Sequence, residues 1–334
     1  MLRTASGGSG VGRRSSPNRL RDGVVVLLIP LFVAIACGGS QSSGGTAPYK
    51  VGFIDANATG VASHREVVAA MNAVKKDGSQ TIVQDAAQDA SKANTICTGY
   101  IAQKVNAVIV DVFSGAQMTQ CLTAASSANI PVFGLASALA PGMAGNIDTA
   151  IAGPINQKMV DYVKTLANPR ILSLQFSPGP PCLARQQEEF KELQAAGISL
   201  NNVQSHEVKI PGQVEDSQAT TAAWLAAHPK SANQDLVIWG CFSDTALGAL
   251  AALNQSGRSA PIYTWDLTSQ LVPLLKNGTV KATSISDADK MGQQLAALIK
   301  AYRGGNTTAQ NVEADALVLD ASNIDAYVAS NPVS

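Results

Sequence analysis

The sequence lacks several features that would place it in a common functional class. Beyond residue 36 no apolar run comes near the roughly 20 residues that a membrane span needs. Basic residues are not in excess either, since 24 lysines and arginines face 24 aspartates and glutamates. Without the first 36 residues the balance is 19 basic against 23 acidic residues, a net charge of about −4. We therefore expect neither a nucleic-acid partner nor a polytopic membrane protein.

Motifs for catalysis and for metal binding are also missing. The chain has no G-x-S-x-G, no G-x-x-x-x-G-K-[ST], and no G-x-G-x-x-G after a predicted strand. Its three histidines, His64, His206 and His228, are far apart in sequence, and no C-x-x-C occurs. These absences predict a protein that is not an enzyme and that holds neither a metal nor another cofactor.

The N-terminus has the pattern of an export signal. An arginine-bearing stretch precedes 13 apolar residues at 24–36, too short to span a membrane but of the length found in signal peptides. The run ends in Ala36-Cys37, which resembles a bacterial lipobox, whose cysteine is lipidated after cleavage. The alternative is an ordinary signal peptide followed by an incidental cysteine. We expect a signal peptide at 1–36 and a tether at 37–48 that carries the lipid on Cys37.

Export determines how the remaining cysteines are interpreted. Cys97, Cys121, Cys182 and Cys241 would lie in an oxidising compartment, where an even count favours disulfides over catalytic thiols. Four cysteines allow three pairings. The expected location is outside the cytoplasm, either in the periplasm or anchored to the outer face of the cell membrane.

From Tyr49 onward, short β-branched runs alternate with amphipathic stretches. Ten strand candidates lie between KVGFI at 50–54 and ADALVLD at 314–320, and the intervening segments have the apolar spacing of helices. Alternating strands and helices predict an α/β fold with parallel sheets covered on both faces. Ten strands in almost 300 residues favour two doubly wound sheets over one.

Ligands of open parallel sheets bind beyond the carboxyl ends of the strands. The loops that follow the predicted strands are rich in Asp, Asn, Ser, Thr and aromatic residues, a mixture that suits a small polar ligand with an apolar side, above all a sugar. The candidate ligand contacts are Asp55, Asn57, Thr59, Phe113, Ser137, Arg185, Phe242, Trp265, Asp266 and Ser286.

Five segments in a fixed order carry a resemblance to a known family. They are IAQKVNAVIV at 101–110, ANIPV at 128–132, SDTALGAL at 243–250, IYTWD at 262–266, and GTVKAT at 278–283 followed by Met291-Gly292. With them, residues 51–325 resemble the type I periplasmic substrate-binding proteins of ABC importers, in particular the ribose-binding-like sugar group.

The resemblance implies an architecture and a set of partners. It implies two lobes that close on one ligand, joined by a hinge of three segments near Asp148, Asp287 and Glu313. Lobe 1 would comprise residues 49–147 and 287–312, and lobe 2 residues 148–286 and 313–330. The partners would be a small-molecule ligand and the membrane permease of an importer, with the protein itself a monomer. The alternative is a receptor that presents its ligand to a membrane sensor kinase or chemoreceptor without transport.

The strand order of that fold also selects one disulfide pattern. An order 2-1-3-4 places the helices at 89–104 and 117–128 side by side, which brings Cys97 to Cys121. The strands at 170–176 and 236–240 would be neighbours in the second lobe, which brings Cys182 to Cys241.

Departures from the sugar-binding pattern affect the expected ligand. Ala136 and Ser137 stand where sugar-binding members have an aspartate, often followed by arginine, and Val61 and Ala62 replace two stacking aromatics. Phe242 and Ser286 stand where an asparagine and a glutamine are usual, whereas Asp266 is clearly in place and Arg185 lies within a residue or two of its expected position. These departures favour a ligand that is more apolar or carries fewer hydroxyl groups than a common sugar.

Overall fold

The computed structural model describes residues 48–149, 152–331 and 333. The predicted signal peptide, Cys37 and the tether as far as residue 47 lie outside the described residues. Among the helices that are described, none has both the length and the hydrophobicity needed to cross a membrane.

Six parallel strands form the first sheet, sheet A. They are β1 (Lys50–Asp55), β2 (Gln80–Asp85), β3 (Ala107–Asp111), β4 (Val132–Leu135), β5 (Gly145–Asp148) and β11 (Gln310–Glu313). Their order is β11-β5-β4-β3-β1-β2. One face is covered by α1 (Val61–Lys76) and α9 (Ala288–Arg303), and the other by α2 (Ala90–Ala102) and α3 (Thr119–Ser127). We call sheet A and these four helices lobe 1.

Six further strands form sheet B. They are β6 (Pro169–Gln175), β7 (Val203–Glu207), β8 (Asp235–Gly240), β9 (Ile262–Trp265), β10 (Val280–Ser286) and β12 (Ala316–Leu319), in the order β12-β10-β9-β8-β6-β7. Only β12 is antiparallel to its neighbour, β10. One face packs on α4 (Gly153–Val163) and α5 (Pro180–Ala195), and the other on α6 (Gln213–Ala227), α7 (Ser243–Ser256), α8 (Leu271–Lys276) and α10 (Ile324–Ser330). Sheet B and its helices are lobe 2.

Burial on both faces explains why the central strands are apolar along most of their length. All five residues of β3, AVIVD, are buried, and so are the last five of β1. Val108 and Val110 pack toward α2 and α3, whereas Ala107 and Ile109 pack toward α1 and α9. A parallel strand covered on both sides needs this near-continuous hydrophobic run.

The fold confirms the prediction of two doubly wound α/β lobes. The chain passes between the sheets after β5, after β10 and after β11, which end at Asp148, Ser286 and Glu313. Sequence reasoning missed β5 and β11, because GNID and QNVE are short and mostly polar. It also expected purely parallel sheets, which is wrong for β12.

Each lobe contains one disulfide. Cys97 on α2 is joined to Cys121 on α3, and Cys182 on α5 is joined to Cys241, the residue after β8. The Cα atoms are 5.5 Å and 5.4 Å apart, within the usual range for a disulfide. These pairs are the ones that the strand order predicts.

Candidate ligand-binding site

A cavity of about 360 Å³ lies between the two lobes, beyond the carboxyl ends of their strands. Lobe 1 lines it with α1 and with the loops after β1, β3 and β4, and lobe 2 with α5 and with the loops after β6, β8 and β9. The lining combines charged groups with flat apolar faces: Glu66, Arg185, Asp244, Asp266, Phe113, Phe176 and Phe242.

Three lining residues that directly follow a strand share an unusual backbone conformation. Val112, Ala136 and Asp266 each come directly after a strand and have φ values of 61°, 52° and 73°, in the left-handed region. Such values are uncommon outside glycine, and for the β-branched Val112 they are a true outlier. In each case the backbone N–H still donates one hydrogen bond to the neighbouring strand, so the chain leaves the sheet only after that bond. The bonds run from Val112 N–H to Leu135 O, from Ala136 N–H to Ile147 O and from Asp266 N–H to Ser284 O, at 2.9, 2.8 and 2.7 Å.

Arg185 is the cationic group of the lobe 2 wall. It is only 5% exposed, and its guanidinium carbon lies 4.0 Å from the centre of the Trp265 ring. One of its terminal nitrogens, Nη1, donates to the backbone oxygen of Cys241 at 2.8 Å. Its buried Nε has no hydrogen-bond partner among the described residues. The Trp265 ring and the carbonyl of Cys241 thus hold the guanidinium in place, while its Nε donor has no partner among the described residues.

Asp266 brings a carboxylate to the same wall. Its side chain makes no hydrogen bond or close ion pair with the described part of the chain. Burial raises the pKa of Asp266, while the charges of Arg185 and Arg65 act in the opposite direction. Burial also lowers the pKa of Arg185 to about 10, which leaves the guanidinium charged at neutral pH. The wall therefore offers a ligand both a strong acceptor and a strong donor.

Lobe 1 contributes a buried carboxyl group from α1. Glu66 is 7% exposed, and burial raises its pKa to about 8, with Asp266 acting in the same direction across the cavity and Arg65 and Arg185 against it. Behind it lies Asp111, whose pKa is raised well above its ordinary range by burial and by the charges of Glu66 and Asp55. With a pKa of about 8, Glu66 holds a proton at neutral pH in the unliganded protein.

The loop after β1 is organised by its own side chains. Asp55 accepts a hydrogen bond from the backbone N–H of Asn57 at 3.0 Å, and Asn57 Oδ1 accepts from the backbone and the hydroxyl of Thr59 at 3.2 and 2.8 Å. This chain of bonds fixes the loop and leaves the amide nitrogen of Asn57 available to a ligand.

Six of the ten predicted ligand contacts line the cavity, and the structure brings them together from both lobes. They are Asn57, Thr59, Phe113, Arg185, Phe242 and Asp266.

The other four predicted contacts do not line the cavity, because their side chains are used within the protein. Asp55 pairs with His64 Nδ1 at 2.6 Å in addition to Asn57. The hydroxyl of Ser137 donates within lobe 1, to the carbonyls of Val110 and Phe113. Trp265 is 1% exposed and supports Arg185 from the core, and Ser286 is buried at the end of β10, where it pairs with β12.

Sequence reasoning missed several lining residues, above all Glu66. A signal was available, since the buried positions of α1 are Glu66, Val67, Ala70 and Val74, and the spacing of four residues places Glu66 on the buried face. Gln213 and Asp244 were missed as well. Asp244 accepts a hydrogen bond from Gln213 Nε2 at 2.8 Å, so the two sit together on the lobe 2 side of the cavity.

Comparisons with known proteins agree with this architecture. The model of the periplasmic binding protein domain matches residues 64–307. No curated protein matches the chain by sequence.

Solved structures share the fold at low sequence identity. One is an ABC transporter solute-binding protein from Agrobacterium vitis with bound allitol, with a TM-score of 0.74, 19% identity, and coverage of 85% of this chain and 99% of that one. A second is the periplasmic binding component of the arabinose transporter of Shewanella sp. ANA-3, with bound L-arabinofuranose. Its TM-score is 0.71 and its identity 20%, and the match covers 85% of this chain and 95% of that one. A third is a 5-methylthioribose transporter solute-binding protein from Thermotoga lettingae. Its TM-score is 0.71 and its identity 17%, and the match covers 85% of this chain and 92% of that one.

The matched segment covers most of the chain and includes parts of both lobes, from α1 through the end of α9. The fold around it has two doubly wound sheets with a cavity between them. This chain belongs to the periplasmic binding protein family.

Proposed function

We propose that this chain is the solute-binding lipoprotein of an ABC importer and that it captures a small polar solute, a sugar or sugar-like molecule, between its lobes. The observation that carries the proposal is the cavity, where donors, acceptors and aromatic faces from both lobes converge. Its volume of about 360 Å³ lies at the lower end of the range for small-molecule sites, which suits a solute of sugar size. The role is binding without catalysis.

The chemistry of the wall supports a hydroxylated ligand. Asp266 can accept from two adjacent hydroxyl groups, and the unpaired Nε of Arg185 can donate to a ring or hydroxyl oxygen. Phe113 and Phe242 offer apolar faces for the carbon skeleton. The sugars and polyols named for the structural neighbours combine the same two kinds of surface.

The proposal also includes export, a lipid anchor at Cys37 and delivery of the solute to a membrane permease. Cys37→Ser should release the protein from membranes into the soluble fraction, while the wild type stays with the membranes. Identical fractionation of both proteins at equal mass would contradict the anchor but would leave the binding function intact.

A ligand screen tests the binding function. Purified protein is melted in the presence of pentoses, hexoses, amino sugars, polyols and methylthio sugars. A ligand at 100 times its dissociation constant should stabilise the fold by about 2.7 kcal/mol. Compounds that raise the melting temperature are then titrated against the wild type and Phe242→Ala, which should bind more weakly. A panel without any stabilising compound would argue against a sugar-like solute.

A further inference from the structure

The charged groups of the cavity are unequally divided between the lobes. On the lobe 1 side, Glu66 is the one charged residue among the described lining residues, whereas lobe 2 contributes Arg185, Asp244 and Asp266. Three carboxyl groups thus share the lining with a single guanidinium. The lining therefore contains more acidic groups than basic ones.

Glu66 is buried and faces the cavity, and the described residues give its carboxyl group no hydrogen-bond partner, although Arg65 and Arg185 attract it from a distance. Only 7% of the residue is exposed, yet its carboxyl group makes no hydrogen bond or ion pair with any described residue. A buried carboxyl group without a partner costs free energy on folding, because desolvation of the group is not compensated. Such a group in a cavity wall is compensated when a ligand supplies the donor.

Asp266 is the counterpart of Glu66 on lobe 2. Its carboxylate also lacks a hydrogen-bond partner in the described part of the protein, and the two groups are close enough for the charge of Asp266 to act on Glu66. Arg185 does not fill the space between them as a free cation, because Cys241 O and the Trp265 ring hold it. Two unpaired carboxyl groups, one from each lobe, therefore face one cavity.

We propose that Glu66 and Asp266 together bind a positively charged amino group, so that the ligand is a hydroxylated amine such as an amino sugar. This inference rests on the proposed function and narrows it from a sugar-like solute to a cationic one. An ammonium group between the lobes would donate hydrogen bonds to both carboxyl groups and favour the ionised form of Glu66, and it would draw both lobes onto the same atom.

The surroundings of Glu66 add a dependence on pH. The charged groups that act on it are Asp266 and Arg185 from lobe 2 and Arg65 on its own helix, and Asp111 at the end of β3 is coupled to it from within lobe 1. Because burial raises the pKa of Glu66 to about 8, the unliganded carboxyl holds a proton at neutral pH. Binding of an ammonium ion favours the ionised form, so this proton must be released.

The test compares matched pairs of sugars by calorimetric titration: glucose and glucosamine, galactose and galactosamine, mannose and mannosamine. The proteins are the wild type, Glu66→Gln, and Glu215→Gln, a control that removes an exposed carboxylate from α6 outside the cavity lining. Glutamine has the shape of a protonated glutamate, so Glu66→Gln should fold and melt like the wild type.

We expect the wild type and Glu215→Gln to bind at least one amino sugar about tenfold more tightly than its neutral partner, and Glu66→Gln to lose that preference. Titration in two buffers of different ionisation enthalpy near pH 6.5 should show release of about one proton per ligand by the wild type and none by Glu66→Gln. An equal or stronger affinity for the neutral partners, or an unchanged preference in Glu66→Gln, overturns the inference while the proposed function stands. Failure of every pair to bind overturns the inference, whereas the proposed function falls only if the wider panel of pentoses, polyols and methylthio sugars also fails to bind.

Discussion

Asp266 combines a functional side chain with a demanding backbone. Its φ of 73° lies in a region that asparagine and aspartate enter more readily than other residues with side chains. A short polar residue at this point satisfies two requirements: the left-handed turn at the end of β9 and an acceptor in the cavity wall. The identity of the residue is therefore constrained by conformation as well as by ligand chemistry.

Two substitutions separate these requirements. Asp266→Asn keeps the backbone preference and removes the charge, so ligand affinity should fall by about 1 to 3 kcal/mol while stability is retained. Asp266→Ala should lower affinity similarly and also destabilise the fold by about 1 kcal/mol, because alanine resists the left-handed region. Titration with ligand and urea denaturation measure the two effects. Equal stability of both variants would contradict the backbone argument.

Glu189 makes the stability of lobe 2 depend on pH. It is fully buried on the inner side of α5 and accepts hydrogen bonds from Ser173 Oγ and Gln175 Nε2 at 2.6 and 2.9 Å, and burial raises its pKa from 4.5 to about 8. Between about pH 5 and about pH 8 the folded chain keeps a proton that the unfolded chain releases. Its contribution to the free energy of unfolding therefore falls as pH rises, by up to about 1.4 kcal/mol per pH unit.

Glu189→Gln should flatten this dependence. Glutamine matches the protonated carboxyl and does not ionise, so the variant should lose less stability than the wild type between about pH 5 and about pH 8. Urea denaturation across this interval measures the slope for each protein. Parallel slopes would show that Glu189 does not titrate as the structure requires.

At the scale of elements, the two disulfides have different positions relative to the cavity. Cys182–Cys241 joins α5, which carries Arg185, to the loop after β8, which carries Phe242, and the backbone oxygen of Cys241 itself binds Arg185. Cys97–Cys121 joins α2 to α3, and neither cysteine lines the cavity. The Cys97–Cys121 bridge is therefore a natural control for the Cys182–Cys241 bridge.

Removal of each bridge should reveal this difference. Either double substitution to alanine should cost about 2 to 4 kcal/mol of stability. Only Cys182→Ala with Cys241→Ala should also weaken ligand binding, by about tenfold, because Arg185 and Phe242 lose their fixed spacing. Affinity is measured well below the melting temperature of each variant. An equal loss of affinity in both variants would show that the effect is general destabilisation.

Gly292 allows α1 and α9 to pack closely on sheet A. A Cβ atom at this position would lie 2.7 Å from the backbone oxygen of Ala69 and 3.0 Å from Cα of Ala70. Gly292→Ala should therefore force the helices apart and cost about 1 to 3 kcal/mol. Gly99→Ala in α2 is the control, because a Cβ atom there would meet no atom within 4 Å. This substitution should raise the free energy of unfolding by about 0.5 to 1 kcal/mol. If chemical denaturation shows that Gly292→Ala and Gly99→Ala change the free energy of unfolding in the same direction, this packing is contradicted.

The same elements show what the sequence could and could not predict. Strands such as β3 and β8 are continuous apolar runs, and the pattern predicts them because both faces are buried. The short polar strands β5 and β11 acquire their pairing from neighbouring strands, which no local pattern reveals.

The candidate site, like the strands, could be predicted from the sequence only in part. The rule that ligands bind beyond strand ends predicted the loops that line the cavity, but it does not predict which way a side chain points. Ser137 and Trp265 stand at the expected strand ends and are directed into the core, whereas Glu66 reaches the cavity from a helix. Orientation depends on tertiary contacts, so these assignments required the structure.

For the whole molecule, the ligand is expected to change the relation between the lobes. Three chain segments connect them, and each disulfide lies within one lobe, so no bridge opposes their closure. Small-angle scattering should show a smaller radius of gyration with ligand than without. Asp266→Asn, at a ligand concentration too low to saturate it, should keep the radius of the unliganded protein. An unchanged radius at saturation in the wild type would rule out closure.

The interleaved strand order also has a consequence for synthesis. Lobe 1 uses strands from the beginning of the chain, but its last strand, β11, and the helix α9 are made only after β6 to β10 of lobe 2. Until that stretch of the chain is available for folding, β5 has an unpaired edge, and Val51 and Phe53 lack the cover that α9 provides. Lobe 2 lacks only β12 and α10 when lobe 1 receives its final elements. The nascent chain therefore carries an incomplete, aggregation-prone first lobe until its closing contacts, which are remote in sequence, can form.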